Sequence, residues 1–121
     1  MIKAIKFIGI PVRDQERSLR FYKETLGFRV ITDQPFDDNQ RWIELGIGRS
    51  ATGVALFTPP GHENRIGGLT NISFVADDVK ATWRELAGKG VQFLQEPKQA
   101  DWGTAAIFTD PDGNQFVLGS P

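Results

Sequence analysis

Few side chains in this sequence are of a type that carries out catalysis. The chain has no cysteine, so it can form neither a disulfide nor a thiolate nucleophile or metal ligand. Glu44 is the one carboxylate on a predicted strand that could face a binding cleft, which makes it the only candidate general base. A strand glutamate is more often solvated or salt-bridged, and a base would also need a raised pKa. Glu44 is therefore the single residue to test for a catalytic role.

The only histidine, His62, lies in a turn-like segment, residues 60–64 (PGHEN). Histidines that bind metals or shuttle protons normally have convergent partners that orient the ring, and the sequence offers none elsewhere. We expect His62 to be a solvated loop residue.

The composition is that of an ordinary globular protein, and it excludes several classes of partner. Lys and Arg total 14 against 15 for Asp and Glu, and neither sign forms a run. No positive field is therefore available for a nucleic acid or an anionic membrane surface. The first ten residues contain no long apolar stretch, so a cytoplasmic location is expected. The length fits one domain, residues 1–121.

The first half of the chain is predicted to follow the order β-α-β-β-β. A strand rich in β-branched residues spans 2–12, Asp14 occupies an N-cap position, and the helix after it runs to about Leu26, where Gly27 ends it. Three short strands are predicted near residues 28–32, 41–47 and 53–58, before the Pro59-Pro60-Gly61 segment.

The second half repeats this order. A strand over 69–76 precedes a cap at Asp77 or Asp78 and a helix that stops at Gly88 or Gly90. Strands are predicted near residues 91–94, 104–109 and 115–119, the last two joined by a turn containing Pro and Gly.

The repeat indicates an internal duplication. Aligning Asp14 with Asp78 places Phe7 on Asn71. We predict an α+β fold of two βαβββ modules, one over about residues 1–60 and one over about 68–121, that form curved mixed sheets around a cleft with the helices outside.

Ordered motifs along the whole chain carry a family resemblance. In the first half they are Val12-Arg13-Asp14, Arg17-Ser18-Leu19, Phe21-Tyr22 and Leu26-Gly27-Phe28. In the second half they are Asp77-Asp78-Val79, Gly90-Val91, Trp102-Gly103 and Phe108-Thr109-Asp110-Pro111-Asp112-Gly113-Asn114. The chain resembles the vicinal-oxygen-chelate superfamily, which includes glyoxalase I, bleomycin-resistance proteins and extradiol dioxygenases.

The metal enzymes of that superfamily bind one divalent metal through four inward-facing His, Gln or Glu side chains. The resemblance places those sites at Phe7, Leu56, Asn71 and Val117. Three of the four are hydrocarbon, and a single neutral amide is a poor anchor for a transition metal. We therefore expect no metal and no other cofactor.

Strand alternation predicts which side chains line the cleft. In the first module the lining residues are predicted to be Ile5, Phe7, Val54 and Leu56, with Thr58 at the rim. Their neighbours Ile8, Ile10, Ala55 and Phe57 are predicted to pack beneath the helices. In the second module the predicted lining is Asn71, Ser73, Gln115 and Val117, whereas Ile72, Phe74, Phe116 and Leu118 point toward the helical layer.

The cleft would then have one apolar wall and one wall that offers hydrogen bonds, as small-molecule sites commonly do. Trp42 and Trp102 lie near its predicted edges and could stack on a ligand, while Trp83 falls on the apolar stripe of its helix. The alternative is that Phe7, Leu56 and Val117 simply fill the former metal position as core.

Three functions remain open at this point. The resemblance favours metal-independent binding of an unidentified small molecule, and the net charge of −1 points to a neutral ligand. The first alternative is a lyase, isomerase or dioxygenase-type enzyme with a displaced metal site or metal-free acid-base chemistry. The second is a protein with a collapsed cleft that serves only assembly. A homodimer is expected, because open sheet edges are normally paired or covered.

Overall fold

Two successive β-α-β-β-β units make up the fold, as the sequence predicted. The computed structural model describes every residue from Met1 to Pro121. The first unit spans Met1–Ile66 and the second Gly67–Pro121, and each contains one four-stranded mixed sheet. None of the helices has the length and apolar character needed to cross a membrane.

The sheet of the first unit has the strand order β1-β4-β3-β2. Its strands are β1 (Phe7–Pro11), β2 (Arg29–Pro35), β3 (Arg41–Gly46) and β4 (Gly53–Phe57). Strand β1 pairs in parallel with β4, and the other neighbours are antiparallel. The crossover between the parallel strands contains the helix, as parallel pairing requires a long connection.

Helix α1 (Gln15–Arg20) begins at the predicted cap, because an Asp14 carboxylate oxygen accepts a hydrogen bond from the Arg17 amide over 3.1 Å. The structure differs from the prediction at the end of the helix. Residues Phe21–Thr25 form a π-helical turn rather than α-helix, with the Leu26 amide bonded to the carbonyl of Phe21. Single π turns of this kind occur within α-helices.

The core of the first unit lies between α1 and one face of the sheet. The buried side chains of this core are Ile10, Val12, Leu19, Tyr22, Ile43, Leu45, Val54 and Leu56. Burying each large apolar side chain contributes roughly 1.5 to 3 kcal/mol, so this face is a major source of the unit's stability.

The sheet of the second unit has the equivalent order β5-β8-β7-β6. Its strands are β5 (Gly68–Val75), β6 (Phe93–Ala100), β7 (Gly103–Thr109) and β8 (Asn114–Gly119). Helix α2 (Val79–Gly88) is capped by Asp78, whose carboxylate accepts from the Ala81 amide over 3.0 Å. The two caps therefore occupy equivalent places in the two units.

An aromatic cluster dominates the core of the second unit. Phe116 and Phe108 are almost fully buried, and their ring centroids lie 5.5 Å apart. Phe74 packs on Phe116 at 5.2 Å. Leu118 is buried on the same face of β8, so the prediction for this face of the second sheet is confirmed.

Candidate ligand-binding site

An open pocket lies on the face of the first sheet that is opposite α1. Its volume is about 530 Å³. Strand register brings three of its residues to this face. Gly9 pairs with Ala55 in the parallel ladder, and Phe57 lies two residues beyond Ala55 on the same face of β4. The full lining is Phe7, Gly9, Phe36, Gln40, Trp42, Ala55, Phe57, Thr58, Pro59, Pro60, His62 and Arg65. Every one of these residues belongs to the first unit.

Small residues form the floor of this pocket. A Cβ atom on Gly9 would approach Cε1 of Phe57 to 2.9 Å, so the ring of Phe57 occupies space that only glycine leaves free. Ala55 lies beside Gly9 on the neighbouring strand. These two small residues leave space above the sheet, and the surrounding aromatic side chains line that space.

Trp42 forms one wall and is held by contacts on several sides. Its ring meets that of Phe7 edge-on, with centroids 5.4 Å apart at an interplanar angle of 76°. Phe36 lies against it at 5.9 Å. The indole Nε1 donates a hydrogen bond to Oε1 of Glu44 over 2.9 Å. Edge-on and tilted contacts of this kind are the favoured geometries for aromatic pairs.

A short segment after β4 forms one side of the pocket mouth, and hydrogen bonds hold this segment in place. A 3₁₀ turn, Glu63–Arg65, follows His62, and the Arg65 amide donates to the His62 carbonyl over 2.9 Å. The Thr58 amide donates to the side-chain oxygen of Gln40 over 3.1 Å. Gln40 thus fixes the start of the segment to the end of the β2–β3 loop.

Comparison with known proteins supports the family that the motifs suggested. Residues 4–118 match the model of the glyoxalase/bleomycin resistance protein/dioxygenase superfamily. The chain belongs to this superfamily.

Solved structures share the fold closely. The chain is similar to a superfamily member from Sphaerobacter thermophilus DSM 20745, with a TM-score of 0.91, 36% identity, and coverage of 99% of this chain and 98% of the other. It is also similar to TnmS3, an antibiotic binding protein from Streptomyces sp. CB03234, with a TM-score of 0.85, 34% identity, and coverage of 99% and 97%. The protein YetH of Bacillus subtilis (strain 168) is 31% identical over 98% of each chain.

The residues that the family resemblance assigns to the metal positions include no strong ligand for a transition metal. Phe7, Leu56 and Val117 carry no lone pair, and the amide of Asn71 is the only ligand type among the four. No group of three or more His, Cys, Asp or Glu side chains in the structure is arranged to hold a metal ion.

The structure corrects the face predicted for β4. Leu56 is 1% exposed and packs on the α1 side with Val54, whereas Ala55 and Phe57 line the pocket. Aligning the two helix caps, Asp14 and Asp78, places Gly9 on Ser73. In the parallel ladders Gly9 pairs with Ala55, and Ser73 pairs with Val117. Ala55, not Leu56, is therefore the counterpart of Val117. The motif alignment missed this position by one residue, and in a strand one residue reverses the face.

Other predictions for the first unit have mixed outcomes. Phe7, Trp42 and Thr58 line the pocket of the first unit, and their role in ligand binding stays a prediction. His62 is exposed in the turn before the 3₁₀ segment, as expected of a solvated loop residue, and it also lines the pocket. Glu44 is half-buried and pairs with Ala55 across the β3–β4 ladder. Ile5 is exposed and lies before β1.

The predicted lining of the second unit lies along β5 and β8. Ser73 is exposed beside the half-buried Val117, and Gln115 is half-buried. Asn71 has a φ of 62° at an irregularity in β5, a left-handed conformation that the prediction of a regular strand did not include. Trp102 is 71% exposed just before β7, and Trp83 is half-buried on α2. The role of Asn71, Ser73, Gln115, Val117 and Trp102 in ligand binding stays a prediction, whereas Trp83 was predicted to lie in the core.

Sequence reasoning missed four of the most informative residues. Gly9, Phe36, Gln40 and Arg65 were not singled out, although all line the pocket. A signal existed for Gly9, because an isolated glycine inside a strand often marks a close approach by another group. No comparable signal marks Arg65, since its place depends on how the loop after β4 turns.

Proposed function

We propose that this protein binds a small, largely apolar molecule with an aromatic ring in the pocket of its first unit, without a metal. The observation that carries the proposal is the lining itself, in which four aromatic side chains surround a floor of glycine and alanine. The pocket volume of about 530 Å³ lies in the range of drug-sized binding sites.

The aromatic walls suit a flat ligand. Trp42 and Phe57 are half-buried, so part of each ring remains available for contact. Offset or edge-on contacts with such rings contribute roughly 0.5 to 1.5 kcal/mol beyond the burial of area. The likeness to TnmS3, an antibiotic binding protein, supports the same class of ligand for this chain.

Metal-independent binding is part of the proposal. It rests on the hydrocarbon side chains at three of the superfamily's four metal positions, and Ala55, the corrected counterpart of Val117, adds no ligand atom. Binding would then depend on shape and apolar contact, with no Lewis acid supplied by the protein.

The position of Glu44 favours binding over acid-base catalysis. Its Oε1 accepts the indole N–H of Trp42, so the carboxylate that the sequence offered as a general base supports a pocket wall. We assign Glu44 to positioning. The homodimer and the cytoplasmic location that the sequence suggested are retained as parts of the proposal.

The experiment is a titration with naphthalene-2-carboxamide, a neutral aromatic probe, followed by ¹⁵N-resolved NMR. We expect saturable shifts at the Trp42 indole and at the amides of Phe57 and Thr58. The Ala55→Leu variant fills the floor and should abolish these shifts, whereas Ser73→Leu adds similar bulk to the second sheet and serves as the matched control. Loss of binding in Ser73→Leu but not in Ala55→Leu would move the site to the second unit.

A further inference from the structure

Charge at the pocket mouth points to the chemical class of the ligand. Arg65 is the only residue of the lining with a permanent charge, and the lining contains no carboxylate. We propose that the ligand is an aromatic acid whose anionic group is held by Arg65 at the mouth while its ring lies against Trp42 and Phe57. This inference rests on the proposed function of the pocket.

The guanidinium group of Arg65 is free to bind such an anion. Ion pairs of the structure include Arg20–Glu16, Arg41–Glu16, Arg41–Asp33 and Lys89–Glu85, and Arg65 takes part in none of these. A guanidinium has five N–H donors in a planar fork that matches a carboxylate. Its backbone is fixed by the hydrogen bond of the 3₁₀ turn, so the base of the side chain is already placed.

Two other polar groups of the mouth can also donate hydrogen bonds to a ligand. The side-chain oxygen of Gln40 is taken by the Thr58 amide, which leaves the NH₂ group of Gln40 as its remaining function. The Thr58 hydroxyl makes no hydrogen bond within the protein and can donate as well. A ligand group that only accepts hydrogen bonds, such as a carboxylate, complements this set.

Two nearby carboxylates each accept hydrogen bonds from backbone amides, and both keep their negative charge. Glu63 accepts a hydrogen bond from the Gly61 amide over 3.2 Å, and Asp37 accepts from the amides of Asn39 and Gln40. Glu44 is hydrogen-bonded to Trp42 and pairs with Ala55 on the neighbouring strand. Ala55 comes three residues before Thr58, so the rise of a strand separates these two residues by roughly 10 Å.

The aromatic rings are also compatible with a cationic ligand, because the faces of Trp and Phe attract organic cations. The unpaired Arg65 argues against that occupant, since a ligand cation at the mouth would meet a like charge. A panel of three probes with one ring system and different charges separates these cases.

The test compares naphthalene-2-carboxylate, naphthalene-2-carboxamide and naphthalen-2-ylmethylammonium by calorimetry. Wild-type protein should bind the carboxylate most tightly and the ammonium most weakly. Arg65→Gln should weaken carboxylate binding by roughly tenfold, as expected for loss of a charge-assisted pair, and change carboxamide binding by less than about twofold. Arg49→Gln removes an exposed arginine of the same unit that does not line the pocket, and it should leave all three affinities unchanged.

The outcomes distinguish this inference from the proposed function. Equal binding of carboxylate and carboxamide, or an equal loss in Arg49→Gln, would overturn the role of Arg65 and leave the pocket assignment intact. Tightest binding of the ammonium would show that the rings hold a cation. Failure of all three probes to bind would overturn both the pocket assignment and the inference. Circular dichroism of Arg65→Gln confirms that the variant is folded.

Discussion

The indole N–H of Trp42 points to Glu44, two residues along the same strand, and the two form a hydrogen bond of 2.9 Å. Residues two apart on a strand share a face, so both side chains lie on the pocket side of β3. Trp42 also contacts Phe7 and Phe36, which leaves its ring little freedom. The carboxylate thus sets the orientation of the largest ring in the pocket.

Removal of the Glu44 acceptor should weaken ligand binding without a change in chemistry. In Glu44→Leu the indole N–H loses its partner, and we expect binding of naphthalene-2-carboxamide to fall by up to about 1.5 kcal/mol, the cost of ordering one released side chain on binding. Glu44→Gln keeps an acceptor at the same place and should bind nearly as wild type. The indole N–H resonance of Trp42, assigned with Trp42→Phe, should shift only in Glu44→Leu.

If Glu44 were a general base, the two variants would behave alike, because both lack a titratable carboxylate. Equal loss of a measured activity in Glu44→Gln and Glu44→Leu, with the Trp42 resonance unmoved in both, would restore the catalytic interpretation.

A second prediction concerns Gln15, the buried first residue of α1. Its amide nitrogen donates to the carbonyls of Arg41 and Leu56 over 2.8 and 2.9 Å, and its oxygen accepts from the Arg41 amide over 2.8 Å. Gln15→Leu would leave these buried backbone groups unpaired, and it should cost roughly 2 to 4 kcal/mol of unfolding free energy. Urea denaturation measures the loss. The exposed Gln34 makes the matched control, and Gln34→Leu should change stability by less than about 0.5 kcal/mol.

The fold was predictable because its signals are local. Asp14 and Asp78 are side chains that cap helices, and in both units the structure shows them bonded to an amide of the first turn. Strand alternation then placed the buried residues of β8 correctly. Each of these decisions depends on a few adjacent residues, so no tertiary information was needed.

The site was less predictable because it depends on register and loop path. The alignment of β4 was one residue off, and since alternation has a period of two, Leu56 and Ala55 exchanged faces. Gln15 is a buried polar residue on α1, and its partners lie on β3 and β4. Arg65 joins the pocket through a loop whose path no periodic pattern describes.

A third prediction concerns acid stability. Two hydrogen bonds from Arg41, over 3.0 and 2.7 Å, are the main cause that holds the pKa of Asp33 below its ordinary value of 3.8; partial burial opposes this effect and the attraction of the arginine charge adds to it. Because the pKa is lower in the folded state, the pair stabilises the protein above the unfolded-state value and this contribution is lost as the pH falls through the lowered one.

The comparison of wild type with Asp33→Asn tests this sign. Near neutral pH the wild type should be more stable by at most about 1 kcal/mol, since the pair is partly exposed. The difference should shrink as the pH falls below 3.8. A difference that grows in acid would contradict the assignment. Gln34→Ala, an uncharged change on the same strand, should show no such pH dependence.

The last prediction reverses an expectation drawn from the sequence. If Asn71 oriented a ligand from a regular strand, Asn71→Leu would lower the affinity for that ligand and leave the stability of the protein unchanged. Its φ of 62° changes this, because a leucine in the left-handed region is strained by roughly 1 to 2 kcal/mol, whereas asparagine and glycine adopt it readily. We therefore expect Asn71→Leu to lower the melting temperature and Asn71→Gly to leave it nearly unchanged. The glycine variant also isolates the amide: if it folds as wild type but loses affinity for a ligand that the wild type binds, Asn71 contacts that ligand. If both variants melt like the wild type, the backbone at this position is not left-handed, and the strain argument is wrong.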